Sequence, residues 1–563
     1  MEESQFDAVI LGTGLVESIT AAALSKAGYK VAHIDSNPYY GGEEASLSLD
    51  ELVQWADHNA TLSSNDPSAR YQRITRSKEV PSQSRQYSIC LRPAVIPALG
   101  PLISSLIMSG VAKYSGFRLL ECVSVYDSSG RARNVPGSKE DIFKNKEISL
   151  IEKRRLMRFL TFAAAGDFAS KKEVQGKEDM PFLDFIQSTF SLGSEIASVI
   201  AFSLAFCMSA DEPALLTLQR LQTYLRSSGR YGSSPFLIGH YGGIGDIAQG
   251  FCRASAVSGG VYILARKVVS MKRNPIATQS ATQEDDPSAV SEAKPHFNYL
   301  VDLEDFPDTL SSNIIVSSPS YILPDLKDDI RQLSTPSGAG FRRNIAAIAR
   351  CIAIIDQALG LRHASPESEA MESQESVAEG DDAPRPQVSR ETPVDTAIMI
   401  FPPSSVVGGS CTHSATVLTN GEGNMSTPKG KWIVYISLPV DTMPDDSISA
   451  ETLLKPYLDA LMSLPADPLK IPIQPLFTTF YLETIPASPT PTTPTSGTYI
   501  VPAPLSAVPL PDVPDEATLI AEQTFTEASK ILRHFKKTND SSEEEIPFWP
   551  PLPVDDEEED NEW

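Results

Sequence analysis

The chain has 563 residues, of which 41% are hydrophobic, so it can bury a large core in one large domain or two closely joined domains. Its formal net charge of −25 argues against a nucleic acid as partner, because a polyanion would repel it, and permits docking onto basic protein surfaces. The acidic start and the absence of an apolar run near ~18 residues predict a cytoplasmic protein without a signal peptide or membrane span.

The chain opens with a strand, a glycine turn, a helix and a second strand that ends on an acid. The strand is predicted at 6–11, the helix carries an alanine-rich apolar stripe, and Asp35 ends the second strand. A continuous apolar strand followed by a helix and a parallel strand indicates an α/β fold with a right-handed crossover.

The glycine turn is an incomplete dinucleotide fingerprint. Gly12 and Gly14 stand where G-x-G-x-x-G requires them, but Glu17 replaces the third glycine. A carboxylate there stabilises the positive end of the helix and would repel a diphosphate at the same end. Asp35 lies where a ribose-binding acid belongs and keeps a cofactor site as the alternative. We expect a degenerate fingerprint with no bound cofactor.

The next turn, N-P-Y-Y-G-G at 37–42, presents two tyrosines near the carboxyl edge of the predicted sheet. We expect one of Tyr39 and Tyr40 to pack inward and the other to lie on the surface. Ser48 and Glu51 form a capping box for the following helix. The polar residues 62–84 predict a surface loop.

Apolar residues then recur at helical spacing as far as about residue 228, which predicts an inserted helical domain. Ser138 and Ser149, each followed by an acid three residues later, predict the starts of a short and a longer helix. Phe143 lies in the short helix among charged neighbours. It either anchors an interface or packs this helix on a neighbour.

The glycine-rich segment from residue 231 leads into a helix and two strands, where the α/β domain resumes. Asp246 and Arg253 are seven residues apart and share a helix face, either as a polar docking surface or as an internal salt bridge. Three segments are too polar to fold and are predicted to be disordered, at about 274–295, 364–395 and 487–498.

The acidic tail at 539–563 contains one apolar island, F-W-P-P-L-P. A charged, proline-rich segment of this kind predicts a disordered, solubilising tail, with a docking motif as the alternative. The six cysteines contain no C-x-x-C pair, and the seven histidines are dispersed. With no recognisable catalytic motif either, we expect neither a metal site nor a catalytic set.

Three stretches carry a resemblance to a known family: "FDAVILGTGLVES" with the tyrosine turn, "SKEDIFKNKEISLIEKRRLMRFLTF" and "RYGSSPFLIGHYGGIGDIAQGFCR". They resemble the superfamily of Rab GDP-dissociation inhibitors and Rab escort proteins. The resemblance implies an α/β, flavoprotein-like large domain that has lost its flavin, with β-sheets and an inserted smaller all-helical domain. The implied bounds are 1–100 and 230–538 for the Rab-binding domain I, 101–229 for the lipid- and transferase-binding domain II, and 539–563 for the tail.

The resemblance also implies a Rab-binding surface. The family's segment G-x-G-E-L-P-Q-x-F-x-R has Asp246 here in place of the usual glutamate and Ile247–Ala248 in place of Leu-Pro, which keeps the charge but shortens its reach. The positions that match the family's Rab-binding residues are Tyr40, Arg230, Ser234, Asp246, Gln249, Arg253 and Ile263.

Within the superfamily, escort proteins present a phenylalanine and an arginine to the transferase, and Phe143 and Arg154 match these roles. The resemblance therefore implies a non-catalytic escort protein. It would bind a newly made GDP-bound Rab GTPase, present it to the Rab geranylgeranyltransferase α/β heterodimer, and carry the geranylgeranylated product to membranes by transient contact. A Rab GDP-dissociation inhibitor and an FAD-dependent oxidoreductase are the alternatives.

Overall fold

The computed structural model of the chain describes residues 4–66, 69–127, 129–136, 142, 145, 148–274, 297–322, 326, 329–336, 345–361, 394–466, 472–486, 497–535 and 546–551. The helices are α1 (Leu15–Lys26), α2 (Leu49–Asn65), α3 (Pro101–Ser109), α4 (Leu150–Ala165), α5 (Phe182–Phe190), α6 (Ser194–Val199), α7 (Ala214–Ser227), α8 (Ile244–Val257), α9 (Ala450–Met462) and α10 (Val513–Phe535).

The strands up to residue 303 are β1 (Gln5–Leu11), β2 (Val31–Ile34), β3 (Ser46–Leu47), β4 (Tyr71–Arg76), β5 (Ile89–Cys90), β6 (Ile96–Pro97), β7 (Phe117–Leu119), β8 (Cys122–Tyr126), β9 (Ala132–Asn134), β10 (Phe236–Gly239), β11 (Val261–Ile263), β12 (Val268–Arg273) and β13 (Tyr299–Leu303). Those that follow are β14 (Leu310–Ser317), β15 (Ile330–Gln332), β16 (Ala347–Ile355), β17 (Thr396–Phe401), β18 (Ala415–Asn420), β19 (Trp432–Val440), β20 (Phe477–Thr484) and β21 (Tyr499–Val501).

The first sheet contains the amino-terminal strand and is parallel at its centre. β1 pairs in parallel with β2 on one side and with β14 on the other, and β11 extends the parallel set beyond β2. Toward the opposite edge, β13 and β12 run antiparallel. Residues 8–11 of β1 are fully buried, as a parallel strand covered on both faces requires. The predicted α/β opening is confirmed.

Helices α1, α8 and α10 cover one face of this sheet, with α1 packed against both of the others. One apolar cluster joins Ile10 of β1, Ala22 of α1, Phe251 of α8 and Phe525 of α10. The alanine-rich stripe of α1 lets its neighbours approach closely, because small side chains leave the helix surface flat. This packing fixes α8 relative to the glycine turn.

The second sheet has the strand order β4-β20-β16-β19-β18-β17-β8-β9 and is antiparallel except for the β17–β8 pair. Side chains of β16 alternate between two cores. Ile352 and Ile354 face the cluster that contains the helices α4 to α7, whereas Cys351 and Ala353 face the cluster that contains α9. The helical unit therefore packs on one face of the second sheet.

The helical unit begins later than the predicted boundary at residue 101. α3 packs with α10 on the first sheet, β7 pairs with β10, and β8 joins the second sheet. These strands have three to five residues, too few for a periodic pattern to separate them from the helices that follow. The helices from α4 to α7 lie at 150–227.

The predicted surface loop at 62–84 is wrong in part. α2 continues to Asn65, and β4 pairs with β20 at the edge of the second sheet. Most side chains of β4 are half-buried, so its sequence lacks the alternation of a strand with one covered face.

The tail also differs from its prediction in one segment. Residues 546–551 are described, and Trp549 is only 4% exposed. The rest of the predicted tail, at 539–545 and 552–563, lies outside the described residues, as do most of the three insertions predicted to be disordered. The predicted short helix from Ser138 lies mostly outside them as well. Within the described ranges, none of the helices is long and apolar enough to span a membrane.

Candidate functional site

The glycine turn between β1 and α1 is closed by the chain's own residues. Gly12 has a φ of +98°, a conformation that favours glycine, and the amide of Leu15 at the helix start donates to Glu44 Oε2 at 3.1 Å. A Cβ on Gly14 would lie 2.6 Å from Glu17 Oε2 and 3.1 Å from Glu44 Oε2. Both carboxyl groups therefore lie over the helix N-terminus. Sequence reasoning singled out Glu17 and missed Glu44.

These two acids leave an unfavourable place for a diphosphate. Burial, together with repulsion from the nearby Glu44, Glu43 and Asp35, raises the pKa of Glu17 to about 8. Burial also raises the pKa of Glu44, against the opposing effect of Arg92. A diphosphate at this helix end would lie beside two carboxyl groups and compete with one of them for the helix amides. The residues present do not fit a dinucleotide.

Asp35, the candidate ribose-binding acid, is buried and bound by protein donors. Its Oδ2 accepts hydrogen bonds from the amide and the hydroxyl of Thr13 at 2.8 and 2.6 Å. Its Oδ1 accepts from the amide of Asn37 at 2.8 Å and from the hydroxyl of Tyr321 at 3.0 Å. Asp35 thus ties the glycine turn to the tyrosine turn, a role that uses the acceptors a ribose would need.

The tyrosine turn lies directly on the glycine turn. The amide of Gly41 donates to both the carbonyl and the hydroxyl of Thr13 at 3.1 Å, and a Cβ on Gly42 would lie 3.2 Å from the Gly14 nitrogen. A Cβ on Gly41 would lie 3.4 Å from the Cα of Gly245 at the start of α8. These close approaches require glycine and bring the tyrosine turn against α8.

Both tyrosines of the turn are half-buried, so the expected division into one inward and one surface side chain is not clear-cut. Tyr39 packs against the core cluster of the second sheet, and burial raises its pKa to about 12. The ring of Tyr40 lies edge-on to that of Tyr262, with the centroids 6.0 Å apart. Tyr40 therefore stands at the edge of the first sheet, beside β11.

Asp246, Gln249 and Arg253 occupy the outer face of α8. Gln249 and Arg253 are exposed, and Asp246 is half-buried, which raises its pKa. The Arg253 guanidinium lies 4.5 Å from the centroid of the Tyr114 ring. Within the described part of the chain Arg253 has no ion-pair partner, so the alternative of an internal salt bridge with Asp246 is not observed.

Ile263 completes this surface from the sheet side. It pairs with Ile34 at the end of β2, and its carbonyl accepts the amide of Asp35 at 3.0 Å. Its neighbour Tyr262 is the residue that contacts Tyr40. We call the group Tyr40, Asp246, Gln249, Arg253 and Ile263 the platform surface.

Arg230 and Ser234 lie on a separate loop before β10. Arg230 is exposed, with its guanidinium 5.4 Å from the centroid of the Tyr231 ring. The hydroxyl of Ser234 donates to the carbonyl of Phe236 at 3.4 Å. In the described ranges, neither side chain has a hydrogen bond, ion pair or ring contact with the platform surface.

Arg154 lies on the exposed side of α4, in the helical unit. The hydroxyl of Ser149 caps this helix by accepting the amide of Glu152 at 3.3 Å, as the sequence predicts. Leu150 and Ile151 beside it are 65% and 64% exposed. Phe143, the other predicted transferase-binding residue, lies outside the described residues.

A buried charge network lies behind the glycine turn, and the sequence analysis did not predict it. Arg92 Nη1 lies 2.8 Å from Glu44 Oε1, and Arg92 also pairs with Glu483 of β20. Arg350 of β16 pairs with the other carboxylate oxygen of Glu483 at 2.5 Å, and Arg70 contacts Glu483 and Glu43. The members are far apart in the chain, so no local signal identifies them. No cluster of three or more potential metal ligands occurs within the described ranges.

About half of the chain is similar to known proteins. The family model described as GDP dissociation inhibitor matches residues 1–289. A Drosophila melanogaster protein named Rab proteins geranylgeranyltransferase component A is 37% identical over 285 residues, 47% of this chain and 53% of that protein. The Saccharomyces cerevisiae protein of the same name is 34% identical over 288 residues, 51% and 47% of the two chains. Rat Rab GDP dissociation inhibitor beta is 31% identical over 272 residues, 47% and 57%.

The chain spans about half the length of the curated relatives it matches. Two solved structures share its fold over most of both chains. Rab GDI from Plasmodium falciparum has a TM-score of 0.56 at 21% identity, covering 91% of this chain and 97% of that one. An oxidoreductase from Methanosarcina mazei has a TM-score of 0.51 at 14% identity, with 91% and 98% covered. The predicted flavoprotein-like fold is confirmed.

Proposed function

Since the chain belongs to the GDP dissociation inhibitor family, we propose that it is a Rab escort protein, a non-catalytic accessory component of Rab geranylgeranyltransferase. It binds a newly made GDP-bound Rab GTPase on the platform surface and presents it to the transferase. It then carries the lipidated Rab to membranes. The relatives named component A in two organisms support the escort role over the other roles in the family.

The observation that carries the proposal is the platform surface itself. An acid, an amide and a guanidinium lie on one helix face beside a half-buried tyrosine, and their backbones are fixed by close glycine contacts. A rigid polar surface with an aromatic at its edge suits recognition of a folded protein, because little side-chain and loop freedom is lost on binding. Arg230 and Ser234 would reach the Rab from their separate loop.

The helical unit is proposed to hold the lipid and the transferase. Its core contains packed phenylalanine rings, among them Phe159, Phe182, Phe185 and Phe190. Each buried CH₂ of an isoprenoid contributes about 0.8 kcal/mol, so an apolar sleeve between such helices offers a strong driving force. The exposed apolar pair Leu150 and Ile151 beside Arg154 supports a protein-docking surface at the start of α4.

The test of the function is reconstitution. Purified transferase, a GDP-bound Rab and labelled geranylgeranyl diphosphate are combined with and without this chain, and lipid incorporation into the Rab is measured. We expect incorporation to depend on the chain. Incorporation at the same rate without it would refute the escort role.

We predict that Tyr40→Ala and Arg253→Ala each weaken binding of the GDP-bound Rab by at least about tenfold, or about 1.4 kcal/mol, because each removes an anchor of the platform surface. Titration calorimetry measures the affinity. Arg131→Ala, which changes an exposed arginine in the turn between β8 and β9, is the matched control and should bind normally. Unchanged affinity in both platform variants would show that the surface is assigned wrongly.

Phe143→Ala and Arg154→Ala should leave Rab binding intact and abolish assembly of the ternary complex with the transferase. Pull-down of the transferase by the complex of chain and Rab measures assembly. Lys172→Ala, an exposed cation in the same helical unit, is the control. Equal losses of Rab binding and ternary assembly would contradict the assignment of these two residues.

A Rab GDP-dissociation inhibitor is the second candidate, favoured by the name of the matching family model and by the rat relative. Such a protein extracts prenylated Rab from membranes without supporting prenylation, so a membrane-extraction assay beside the reconstitution separates the two roles. A flavin-dependent oxidoreductase is disfavoured by the carboxyl groups over the α1 N-terminus. Absorbance near 450 nm in the purified protein would reopen that alternative.

A further inference from the structure

The apolar island of the carboxyl-terminal tail packs against the body of the protein. Trp549 is 4% exposed, and its indole N–H donates to the hydroxyl of Ser105 on α3 at 3.0 Å. Its ring stacks on that of Phe251 on α8, with the centroids 5.9 Å apart and the planes inclined by 23°. A tryptophan that is buried and whose N–H is paired is a specific anchor, because both parts of the side chain are satisfied.

The residues beside Trp549 extend this contact to a third helix. The ring of Phe548 lies 5.5 Å from that of Phe525 on α10 and 4.7 Å from that of Trp549. Ile546 packs against the same apolar cluster. The segment 546–551, which we call the tail clasp, therefore contacts α3, α8 and α10, three helices that are remote in sequence.

The helix α8 carries the clasp contact and the platform surface on different sides. Phe251 is fully buried, whereas Gln249 and Arg253, two residues away in either direction, are exposed. Two residues correspond to about 200° around a helix, so Phe251 lies on the opposite side from these two residues. Because they share one helix, a displacement of α8 at Phe251 also moves the exposed side chains. The tail clasp thus contacts the buried side of α8, the helix whose exposed side carries Asp246, Gln249 and Arg253.

Helix α8 also packs against the turn that follows α3. A Cβ on Gly250 would lie 2.8 Å from Val111 Cγ1, which indicates a very close approach between α8 and this turn. Tyr114, at the end of the turn, is the residue beneath the Arg253 guanidinium. Trp549 connects α3 to α8, since it contacts Ser105 of α3 and Phe251 of α8.

We propose that the tail clasp fixes α8 against α3, and that Trp549 is a positioning residue for the Rab-binding platform surface. This inference rests on the proposed function for its Rab-binding part, while its structural part stands on the contacts alone. Without the clasp, α8 and α3 lose a common anchor. Tyr114 ends the turn that directly follows α3, so Arg253 is held less firmly in the orientation that a partner would meet. The expected consequence is faster dissociation of a bound Rab.

The test compares Trp549→Ala with the full wild-type chain in two measurements. Hydrogen–deuterium exchange followed by mass spectrometry reports the protection of α8 and of 101–115. Surface plasmon resonance with a GDP-bound Rab reports the dissociation rate. We expect faster exchange in α8 and 101–115, unchanged exchange in α4 to α7, and dissociation at least about tenfold faster, or about 1.4 kcal/mol. Trp432→Phe, in the second sheet, is the control and should alter neither measurement.

Milder variants keep the test valid if Trp549→Ala does not fold. Trp549→Phe retains an aromatic ring and removes the N–H, while Ser105→Ala removes only its acceptor. Both should raise exchange in the same two regions by a smaller amount. Unchanged exchange in α8, an equal rise over the whole chain, or faster exchange with unchanged Rab dissociation would each overturn the proposal. A wild-type chain that binds no Rab would refute the proposed function, and exchange would still decide whether the clasp holds α8.

Discussion

At the scale of single residues, two acids meet at the N-terminus of the first helix, the position at which a dinucleotide-binding fold holds a cofactor phosphate. Glu44 accepts the Leu15 amide, and Glu17 lies beside it over Gly14. An anion is favourable at this helix end because it meets the positive end of the dipole. The protein supplies that anion from its own chain, and burial raises the pKa of the second acid, Glu17, to about 8.

The raised pKa of Glu17 predicts a specific loss of stability with rising pH. The folded protein holds this proton more tightly than the unfolded chain, so its contribution is complete below about pH 4.5 and is lost as pH rises to about 8. Glu17→Gln mimics the protonated form and should remove this dependence. The free energy of unfolding of the variant, relative to wild type, should increase by about 3 kcal/mol between pH 5.5 and 8.5.

Urea unfolding at the two pH values measures this change, and the comparison between variant and wild type cancels the other titrating groups. Glu79→Gln, an exposed glutamate, serves as the control and should show no such increase. A difference between Glu17→Gln and wild type that stays constant with pH would mean that Glu17 is ionised in the folded protein.

At the scale of secondary-structure elements, the ends of helices are where local sequence had the greatest predictive power. Ser48 caps α2 in a reciprocal capping box with Glu51, and Ser149 caps α4. These caps satisfy amides that the helix itself leaves unpaired, so they depend on residues only three positions apart. Short and edge strands such as β4, β7 and β8 lack an equivalent local signal, and their positions were missed for that reason.

The Ser48 cap predicts a measurable contribution to stability. Ser48→Ala removes the acceptor of the Glu51 amide and should lower the free energy of unfolding by about 1 kcal/mol. Thermal or urea unfolding measures the loss. Ser63→Ala near the other end of α2 is the matched control, and a loss there as large as that at Ser48 would indicate that capping is not the cause.

At the scale of the whole molecule, the two sheets are joined by buried charges behind the glycine turn. Glu483 of β20 accepts from Arg92 and Arg350, and Arg92 continues to Glu44 at the start of α1. The three arginines near Glu483 hold the pKa of its carboxyl well below the usual range, against the opposing effect of burial. The network therefore couples the second sheet to the turn on which the platform surface rests.

Breaking this network should lower the free energy of unfolding, because it removes the buried carboxylate that Arg92 and Arg350 share. Glu483→Gln keeps the shape of the side chain and removes the charge that faces Arg92 and Arg350. We expect the free energy of unfolding to fall by about 3 kcal/mol, as measured by urea unfolding at pH 7. Asp57→Asn breaks the more exposed pair with Arg76 and should cost under about 1 kcal/mol. Equal costs at the two sites would contradict this account.

The sequence alone determined the α/β opening, the helix caps and the family resemblance, because each depends on residues close together in the chain. It also predicted a carboxylate at Glu17 that opposes a diphosphate, although the raised pKa of about 8 leaves this carboxyl mostly protonated at neutral pH. From their spacing alone, it placed Asp246 and Arg253 on one helix face. These predictions needed only helix geometry and the charge at a helix end.

Only the tertiary structure decided which distant residues meet. It brought Glu44 to the α1 N-terminus, gave Asp35 five protein donors, and placed Trp549 between α3 and α8. The sequence had predicted a solubilising tail there because acidic and proline-rich composition argues against folding. An apolar segment can nevertheless pack against helices that lie hundreds of residues earlier in the chain, here α3 and α8. The composition of the tail does not predict this contact, because the surface that buries the segment is formed by distant residues.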